Sequence, residues 1–342
     1  LLEDRDYRNF VVAQGLAILL AVLLGLVVGR RLDQVGVATV APRCMRIAGA
    51  ISLAIPLLVG LERRGNLLLG AFAVVHAIYL FSLTVYDASL KHVTSGLESV
   101  EVSGWAWGWG YVGGIACMLS MMVVAKVAGE SATNAFLTAS VFYFLFSMLA
   151  ARGLSRRLGQ LKARPEQAES VLAQENPPLM ASTSRWRLLL TFVLIVDGIA
   201  IFMGFFSVYA NKIVNAPEST ITAMLGVLQL LAFPLTGLLS TTGTRRLRLL
   251  LLGCGLTWAV AAALVVAVPT VGMLWACVFL MAGAVGTTQA LLRSLYADTV
   301  PADSSIHGFS AYAVVEKGAA FLGPLVGGSI ISVAGHKPVM LG

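Results

Sequence analysis

The amino-acid sequence predicts an all-α membrane protein that crosses the bilayer several times. Of its 342 residues, 58% are hydrophobic and 12% are charged, whereas an average soluble domain carries about twice that charged share. Apolar runs of about twenty residues, the length that a helix needs to cross about 30 Å of hydrocarbon, recur along the chain. Their polar and apolar residues do not alternate as they would in the strands of a membrane barrel.

Ten apolar runs are long enough to span a membrane. They cover residues 10–28, 44–61, 67–86, 103–127, 134–151, 186–210, 221–239, 247–268, 271–295 and 308–333. The longest polar stretch between them extends from Arg152 to Arg187 and predicts a linker between two helix bundles. We expect an N-terminal bundle in residues 1–151, the linker in residues 152–185 and a C-terminal bundle in residues 186–342.

Basic residues predict which side of the membrane each connection faces. Lys and Arg concentrate in one alternating set of connections, which includes the linker, and cytosolic loops are the ones that carry such an excess. The formal charge of +7 therefore indicates membrane orientation and no nucleic-acid partner. With five spans on each side of a cytosolic linker, the parity predicts one further helix before the first span and one after the last.

The sequence contains no pattern of a metal site, cofactor site or active site. The four cysteines lie far apart and form no CxxC pair. No nucleotide-binding loop or nucleophile arrangement is present in the sequence. The chain is therefore not expected to be an enzyme, to hold a cofactor or to act alone as an ATP-driven pump, so uphill transport would need an ion gradient.

The connection after the first span, GRRLDQVG, resembles a known loop signature. Gly29, Asp33 and Gly36 stand at the spacing that the major facilitator superfamily shows after its second helix. Glycines let helix ends approach closely, and the Asp carboxylate can accept hydrogen bonds from a neighbouring helix N-terminus. Such contacts suit a latch that breaks and re-forms during transport. The alternative is an ordinary cytosolic turn with anchoring arginines.

The second half of the chain repeats this connection. Segment 237–246, GLLSTTGTRR, begins with a glycine at the predicted end of a span and places another glycine before the next span. Thr241 stands where the Asp would be, whereas Arg245 and Arg246 keep the basic pair. Two copies in equivalent halves favour a transporter.

Further segments resemble one branch of that superfamily, the vacuolar amino-acid effluxers or autophagy-related permeases, with their bacterial relatives. These segments are YDASL at 86–90, the glycine-rich stretch 103–114, the Asp-Gly pair 197–198, and the stretches 289–301 and 308–328. Asp87 stands where the family has Asn, and Asp298 where it commonly has Arg.

The resemblance implies a major facilitator fold with two pseudo-symmetric bundles around a midplane cavity. It implies alternating-access transport of a small polar solute, amino acids foremost, from a vacuole- or lysosome-like compartment or across the plasma membrane. The alternative, favoured by the departures at Asp87 and Asp298, is a non-transporting carrier-fold subunit of a larger membrane complex.

The candidates for ion coupling or for lining the solute cavity are polar residues inside the predicted spans. They are Asp197, His76, Tyr79, Tyr86, Asp87, Glu316, Arg293 and Gln289. Asp197 lies near mid-bilayer, where an ionised carboxylate costs several kcal/mol unless it is paired or faces water. It is therefore a candidate proton carrier, and the alternative is a structural acceptor bonded to a neighbouring helix.

Two groups of these candidates share a helix or a face. His76, Tyr79 and Tyr86 lie on roughly one helical face, as a polar cavity lining requires, although hydrogen-bonded packing is an alternative for His76. Glu316 is a candidate partner for Arg293 or a structural latch. It is not expected to pair with Lys317, because adjacent helix residues point about 100° apart.

Small residues predict close helix packing or gating. The pairs Gly104 with Gly108 and Gly110 with Gly114 have the spacing that lets helix backbones approach, and Trp105 and Trp109 share a face. The pair Gly323 and Pro324 belongs to the same group of candidates. The sharper alternative to packing is that the glycine-rich helix slides against its partner during transport.

Overall fold

The structure, a computed structural model, describes residues 4–60, 65–94, 98–163 and 185–334, which are almost entirely helical. Its α-helices are α1 (Asp4–Val35), α2 (Val37–Ser52), α3 (Ala54–Gly60), α4 (Gly65–Val93), α5 (Glu98–Ala128), α6 (Ala132–Ala163), α7 (Arg185–Lys212), α8 (Glu218–Ala267), α9 (Val271–Thr299) and α10 (Ser305–Ala334). A short 3-10 helix, Ala302–Ser304, precedes α10.

Nine segments in the described residues are long and apolar enough to cross a membrane. They are 12–35, 37–59, 68–93, 98–128, 133–161, 189–212, 218–242, 246–267 and 271–299, and they overlap nine of the ten predicted spans. The tenth predicted span, 308–333, lies inside α10, which is 30 residues long. The predicted all-α, multi-span fold class is confirmed.

The helices are longer than the apolar runs that predicted them. Helix α4 continues to Val93 and α6 to Ala163, so the first part of the predicted linker, residues 152–163, is helical. Residues 164–184 of that linker lie outside the described residues. Helix ends that leave the hydrocarbon carry polar and basic residues, so hydropathy marks the membrane boundary and not the end of the helix.

The described residues form two compact units. The first contains α1 to α4, α6, the part of α5 from Ala116 onward, and the start of α10 as far as Val314. In it α4 packs against α1 and α2, and α2 packs against α6. Gly49 permits the last of these contacts, since a Cβ there would meet the Ser147 side chain of α6, whose Cβ would be 3.1 Å away.

The second unit contains α5 as far as Ile115, α7, α8, α9 and the part of α10 from Val315 onward. Buried apolar side chains of α7, α8 and α9, such as Phe206, Met224 and Met281, form its core. Tyr209 of α7 is buried there, and its hydroxyl donates to the Val265 carbonyl of α8 at 2.9 Å.

The predicted connection at 237–246 is a kink between two helical spans. Residues 218–242 and 246–267 each form a span within α8, and the kink between them is at Arg246, whose backbone angles are non-helical (φ −139°, ψ 41°). The connection is shorter than predicted, because the first span continues to Thr242; Thr241 and Thr242 donate to the carbonyls of Leu238 and Leu239 of the same helix, each at 2.7 Å. The first copy is a true turn: α1 ends at Val35 and Gly36 has a φ of 90°, a conformation that favours glycine.

Candidate functional site

Asp33, near the end of α1, is bonded to the start of α10. Its Oδ1 accepts a hydrogen bond from the Ile306 N–H at 2.8 Å, and its Oδ2 accepts one from the His307 N–H at 3.1 Å. The first N–H groups of a helix have no partner within the helix and carry its positive dipole end. A carboxylate that accepts from two of them is therefore bound by hydrogen bonds and by charge. This is the kind of bond that the sequence analysis expects of Asp33.

A histidine adds a further contact at the same helix start. His92, in the last turn of α4, places its Nε2 3.0 Å from Ser305 Oγ. Ser305 is the first residue of α10 and is fully buried. Side chains of α1 and α4 thus hold the first three residues of α10, which we call the α10 latch: Asp33 and His92 on one side, and Ser305, Ile306 and His307 on the other.

Two glycines let α1 lie directly against α10. A Cβ on Gly29 would stand 3.1 Å from the His307 Cα, and one on Gly25 would stand 2.8 Å from the Ser310 Cβ. The two are four residues apart, so they share a helix face. Sequence reasoning found Gly29 but missed Gly25 and His92. The G-x-x-x-G spacing of Gly25 and Gly29 was a signal that could have found the first of these.

The glycine-rich face of α5 packs against α8, as predicted for three of its four glycines. A Cβ on Gly104 would meet the Ser240 side chain and would lie 3.1 Å from the Thr236 carbonyl oxygen. A Cβ on Gly108 would stand 2.8 Å from the Phe233 carbonyl oxygen, and one on Gly114 would stand 2.6 Å from Gln229 Oε1.

Gly110 does not take part in this packing. Among the residues that the structure describes, no atom outside the backbone of its own helix turn lies within 4 Å of the position of its Cβ, so the packing interpretation of this residue was wrong. At 100° per residue, it stands about 240° around the helix from Gly104 and about 200° from Gly108.

The two tryptophans between these glycines interlock with α8. The rings of Trp105 and Trp109 lie 6.2 and 5.1 Å from the ring of Phe233. Gly237 of α8 makes room for Trp105, since a Cβ there would stand 2.6 Å from the indole Cε3. Small and aromatic residues thus face each other from both helices.

Arg293 of α9 is buried against α5. Its Nε donates to Ser103 Oγ at 2.9 Å, and its guanidinium carbon lies 6.0 Å from the centre of the Trp107 ring.

Glu316 pairs with its neighbour Lys317, whose Nζ lies 2.8 Å from a carboxylate oxygen. The prediction that these neighbours do not pair was wrong, because the long, flexible Lys stem reaches around the helix.

His76 and Tyr79 of α4 belong to a row of aromatic rings. His76 stacks between Phe72 and Tyr79, with ring centres 5.2 and 5.6 Å apart, and Tyr79 meets the edge of Tyr143 in α6 at 5.1 Å. The Tyr143 hydroxyl lies 3.2 Å from Ser82 Oγ. All but Ser82 are partly exposed, so this row can be a polar lining.

The predicted cavity residues are divided between the two units. His76, Tyr79, Tyr86 and Asp87 lie in the first, whereas Asp197, Gln289, Arg293 and Glu316 lie in the second. Asp197 is partly buried in α7, and within the part of the chain that the structure describes its carboxylate makes no hydrogen bond or ion pair. Asp87 is buried and Gln289 is partly buried.

Three further predicted residues lie in α8 and α10. Gly323 and Pro324 lie within α10, and Arg245 lies within α8 just before the kink, but the structure does not describe their side chains. Arg246 is exposed at the kink itself. Among the described residues, His, Cys, Asp and Glu side chains form no group that could hold a metal ion.

Comparison with known families gives one extended match. The sequence model of the family described as "Vacuole effluxer Atg22 like" matches residues 84–337. This range contains all the segments for which the sequence analysis noted a resemblance to vacuolar effluxers. No curated protein matches the chain in sequence.

Solved transporter structures share the fold. The human organic anion transporter MFSD10 is 16% identical with a TM-score of 0.69, over 97% of this chain and 80% of that one. A bacterial homologue of the iron transporter ferroportin is 14% identical with a TM-score of 0.70, over 96% and 85%. The proton:xylose symporter XylE, of the major facilitator superfamily, is 12% identical with a TM-score of 0.64, over 97% and 82%.

Proposed function

Since the chain belongs to the vacuole effluxer Atg22-like family, we propose that it is a secondary active transporter that moves amino acids or similar small polar solutes by alternating access. It is a multi-pass integral membrane protein with a major facilitator fold. The proposed membrane is that of a vacuole- or lysosome-like compartment or the plasma membrane.

The observation that carries the proposal is the α10 latch. Asp33 comes from the first half of the sequence and α10 from the second, and the two are joined by hydrogen bonds to part-buried N–H groups at the helix start. Water can replace such bonds at little net cost, since a typical intramolecular hydrogen bond contributes only about 1 kcal/mol. A contact of this kind can break and re-form in each transport cycle.

Asp197 supports the further proposal that protons drive the transport. Its carboxylate lies within a membrane span and makes no hydrogen bond or ion pair to the described residues. A carboxyl group in such a place can take up and release a proton as its exposure to water changes. One protein of the same fold is a proton:xylose symporter, so proton coupling is compatible with this fold.

The test is radiolabelled amino-acid flux in liposomes that contain the purified protein, with and without a pH gradient. We expect flux that the gradient stimulates. In Asp197→Asn, the stimulated flux should fall to the level without a gradient, because an amide carries no proton. Glu130→Gln, which changes an exposed carboxylate between α5 and α6, is the matched control and should behave as the wild type.

Two results would contradict the proposal. Unchanged stimulation in Asp197→Asn would remove Asp197 as the coupling residue. Absence of any flux, together with copurification of other membrane proteins in fixed stoichiometry, would assign the chain as a non-transporting subunit of a membrane complex.

A further inference from the structure

The first turns of α5 are bonded to the last turns of α9. Arg293 donates from Nε to Ser103 Oγ at 2.9 Å and from Nη2 to the Ser103 carbonyl oxygen at 3.2 Å. Ser103 Oγ donates to the Ala290 carbonyl at 3.1 Å, and Ser294 Oγ donates to the Ser99 carbonyl at 2.9 Å. These bonds lie at the helix ends that the basic residues predict to be cytosolic.

Because this contact is buried, the hydrogen bonds between Arg293 and Ser103 form and break together. Ser103 and Ser294 are completely buried, and Arg293 is 6% exposed. A buried guanidinium has lost its hydration and needs acceptors at fixed positions, and its rigid fork of donors matches the two oxygens of Ser103. If α5 moves away from α9, the bonds between Arg293 and Ser103 break together.

The two halves of the sequence differ at the position of Asp33, and the contact between Arg293 and Ser103 takes the place of the carboxylate that the second half lacks. In the first half, Asp33 accepts from the N–H groups of α10. In the second half Thr241 stands at the equivalent position, and its hydroxyl donates within its own helix. The first turn of α5 already carries two exposed acids, Glu98 and Glu101, so another carboxylate close to it would be repelled.

We propose that Arg293 and Ser103 form a second cytosolic latch, which holds α5 to α9 as Asp33 holds α10 to α1. The proposal rests on the transport function proposed above. Helix α5 belongs to the first half of the sequence and α9 to the second, so alternating access requires these cytosolic ends to separate. Arg293 is a positioning residue: it sets how often that end opens and does not contact the solute.

The test measures how fast a buried thiol becomes accessible from the cytosolic side. With the four native cysteines replaced by serine, Thr287→Cys places a thiol in α9 at a completely buried position, less than two turns before Arg293. A membrane-impermeant maleimide on the cytosolic side then reports opening. We expect Arg293→Lys and Ser103→Ala each to raise the labelling rate about tenfold, because each removes bonds that exist only in the closed state.

Two controls separate the latch from a general loss of packing. Ser147→Ala removes a buried serine of α6 that bonds the Phe144 carbonyl of its own helix, and labelling should stay at the original rate. The double variant Arg293→Lys with Ser103→Ala should raise the labelling rate by less than the product of the two single effects, because both changes remove the bond between Arg293 Nε and Ser103 Oγ.

Unchanged labelling in both single variants, in protein that elutes as the wild type does, would overturn the proposal. A change in the apparent solute affinity of Arg293→Lys without a change in labelling would also overturn it, because Arg293 would then contact the solute. The labelling assay needs no solute flux. A chain that fails to transport can therefore still show the latch, and failure of the latch leaves the flux experiment interpretable.

Discussion

At the scale of single residues, the arrangement that matters most is a carboxylate at a helix N-terminus. Asp33 uses both oxygens to accept from consecutive N–H groups at the start of α10. A single neutral acceptor could satisfy only one of these groups and would not interact with the helix dipole. The residue type is therefore decisive, because charge and two acceptor oxygens are both needed at this position.

Asp33→Asn should weaken the α10 latch with little change in shape. The amide keeps one acceptor oxygen but turns an NH2 group toward a backbone N–H. We expect a loss of about 1–2 kcal/mol, as for the removal of a helix cap, and a fall of about 2–4 °C per kcal/mol in the unfolding midpoint. Thermal unfolding in detergent measures this.

The matched control is Asp303→Asn, a nearby exposed carboxylate in the 3-10 helix before α10. This change should leave the unfolding midpoint within about 1 °C of the wild type, as is usual for surface substitutions. Equal effects of the two substitutions would mean that net charge, and not the bonds of Asp33, stabilises the end of α1.

At the scale of helices, backbone proximity determines which glycines are needed. Helices in a membrane gain little from burying apolar surface against each other, because lipid tails are equally apolar. Close van der Waals contact is what remains, and Gly104 and Gly108 permit it between α5 and α8. Gly110 lies on the same helix, and no described residue of another helix comes within 4 Å of its Cβ position, so substitutions at Gly104 and Gly110 can be compared directly.

Gly104→Ala should destabilise the protein, whereas Gly110→Ala should not. A Cβ on Gly104 would meet the Ser240 side chain and would force α8 outward, which costs about 1–3 kcal/mol for an overpacked site. At Gly110 the same change only improves the helix propensity of the residue, which stabilises the helix by about 1 kcal/mol because Ala favours the helix over Gly. Thermal unfolding of the two variants should shift the midpoint in opposite directions, and equal shifts would remove the packing interpretation.

At the scale of the whole molecule, orientation follows from the placement of charge. The basic residues that predict a cytosolic linker lie largely within helix ends: Arg30 in α1, Arg43 in α2, Lys91 in α4 and Arg157 in α6. At helix ends their long stems can lie along apolar surface while the charged heads reach water.

Thiol labelling in sealed vesicles tests this orientation. In a background without native cysteines, Arg157→Cys in α6 should react with an impermeant maleimide from the cytosolic side alone. Glu130→Cys, between α5 and α6, should react from the opposite side alone. Both positions are exposed, so accessibility does not distinguish them. Reversed labelling would reverse the orientation and place the α10 latch on the other side of the membrane.

Much of the fold could be predicted because membranes impose a length and a composition on each helix. Nine of the ten predicted spans match segments of suitable length and hydropathy. The ends of α4 and α6 were placed too early, because hydropathy does not register helix that continues into water. The connection at 237–246 was predicted too long, because its threonines resemble a polar turn although they bond back to their own helix.

The bonding partner of a candidate residue could be predicted where the chemistry of its side chain allows only one kind of partner. A carboxylate beside a turn glycine predicts a helix N-terminus as its partner, as holds for Asp33. The contacts of Arg293 could not be predicted in this way, because an arginine can be satisfied by a carboxylate, a hydroxyl or a carbonyl. Sequence reasoning considered Glu316, whereas the structure joins Arg293 to Ser103.

By itself, the sequence determined the membrane class, the helical spans and the chemistry of the loop at Asp33. Only the tertiary structure decided that Asp33 bonds to the start of α10, that Arg293 bonds to Ser103 and that, among the described residues, no other helix packs against Gly110. The physical reason is that lipid-facing and protein-facing surfaces are both apolar in a membrane protein. Hydropathy therefore identifies the helices, but which helix each one contacts depends on backbone distance and on hydrogen bonds between residues far apart in the chain.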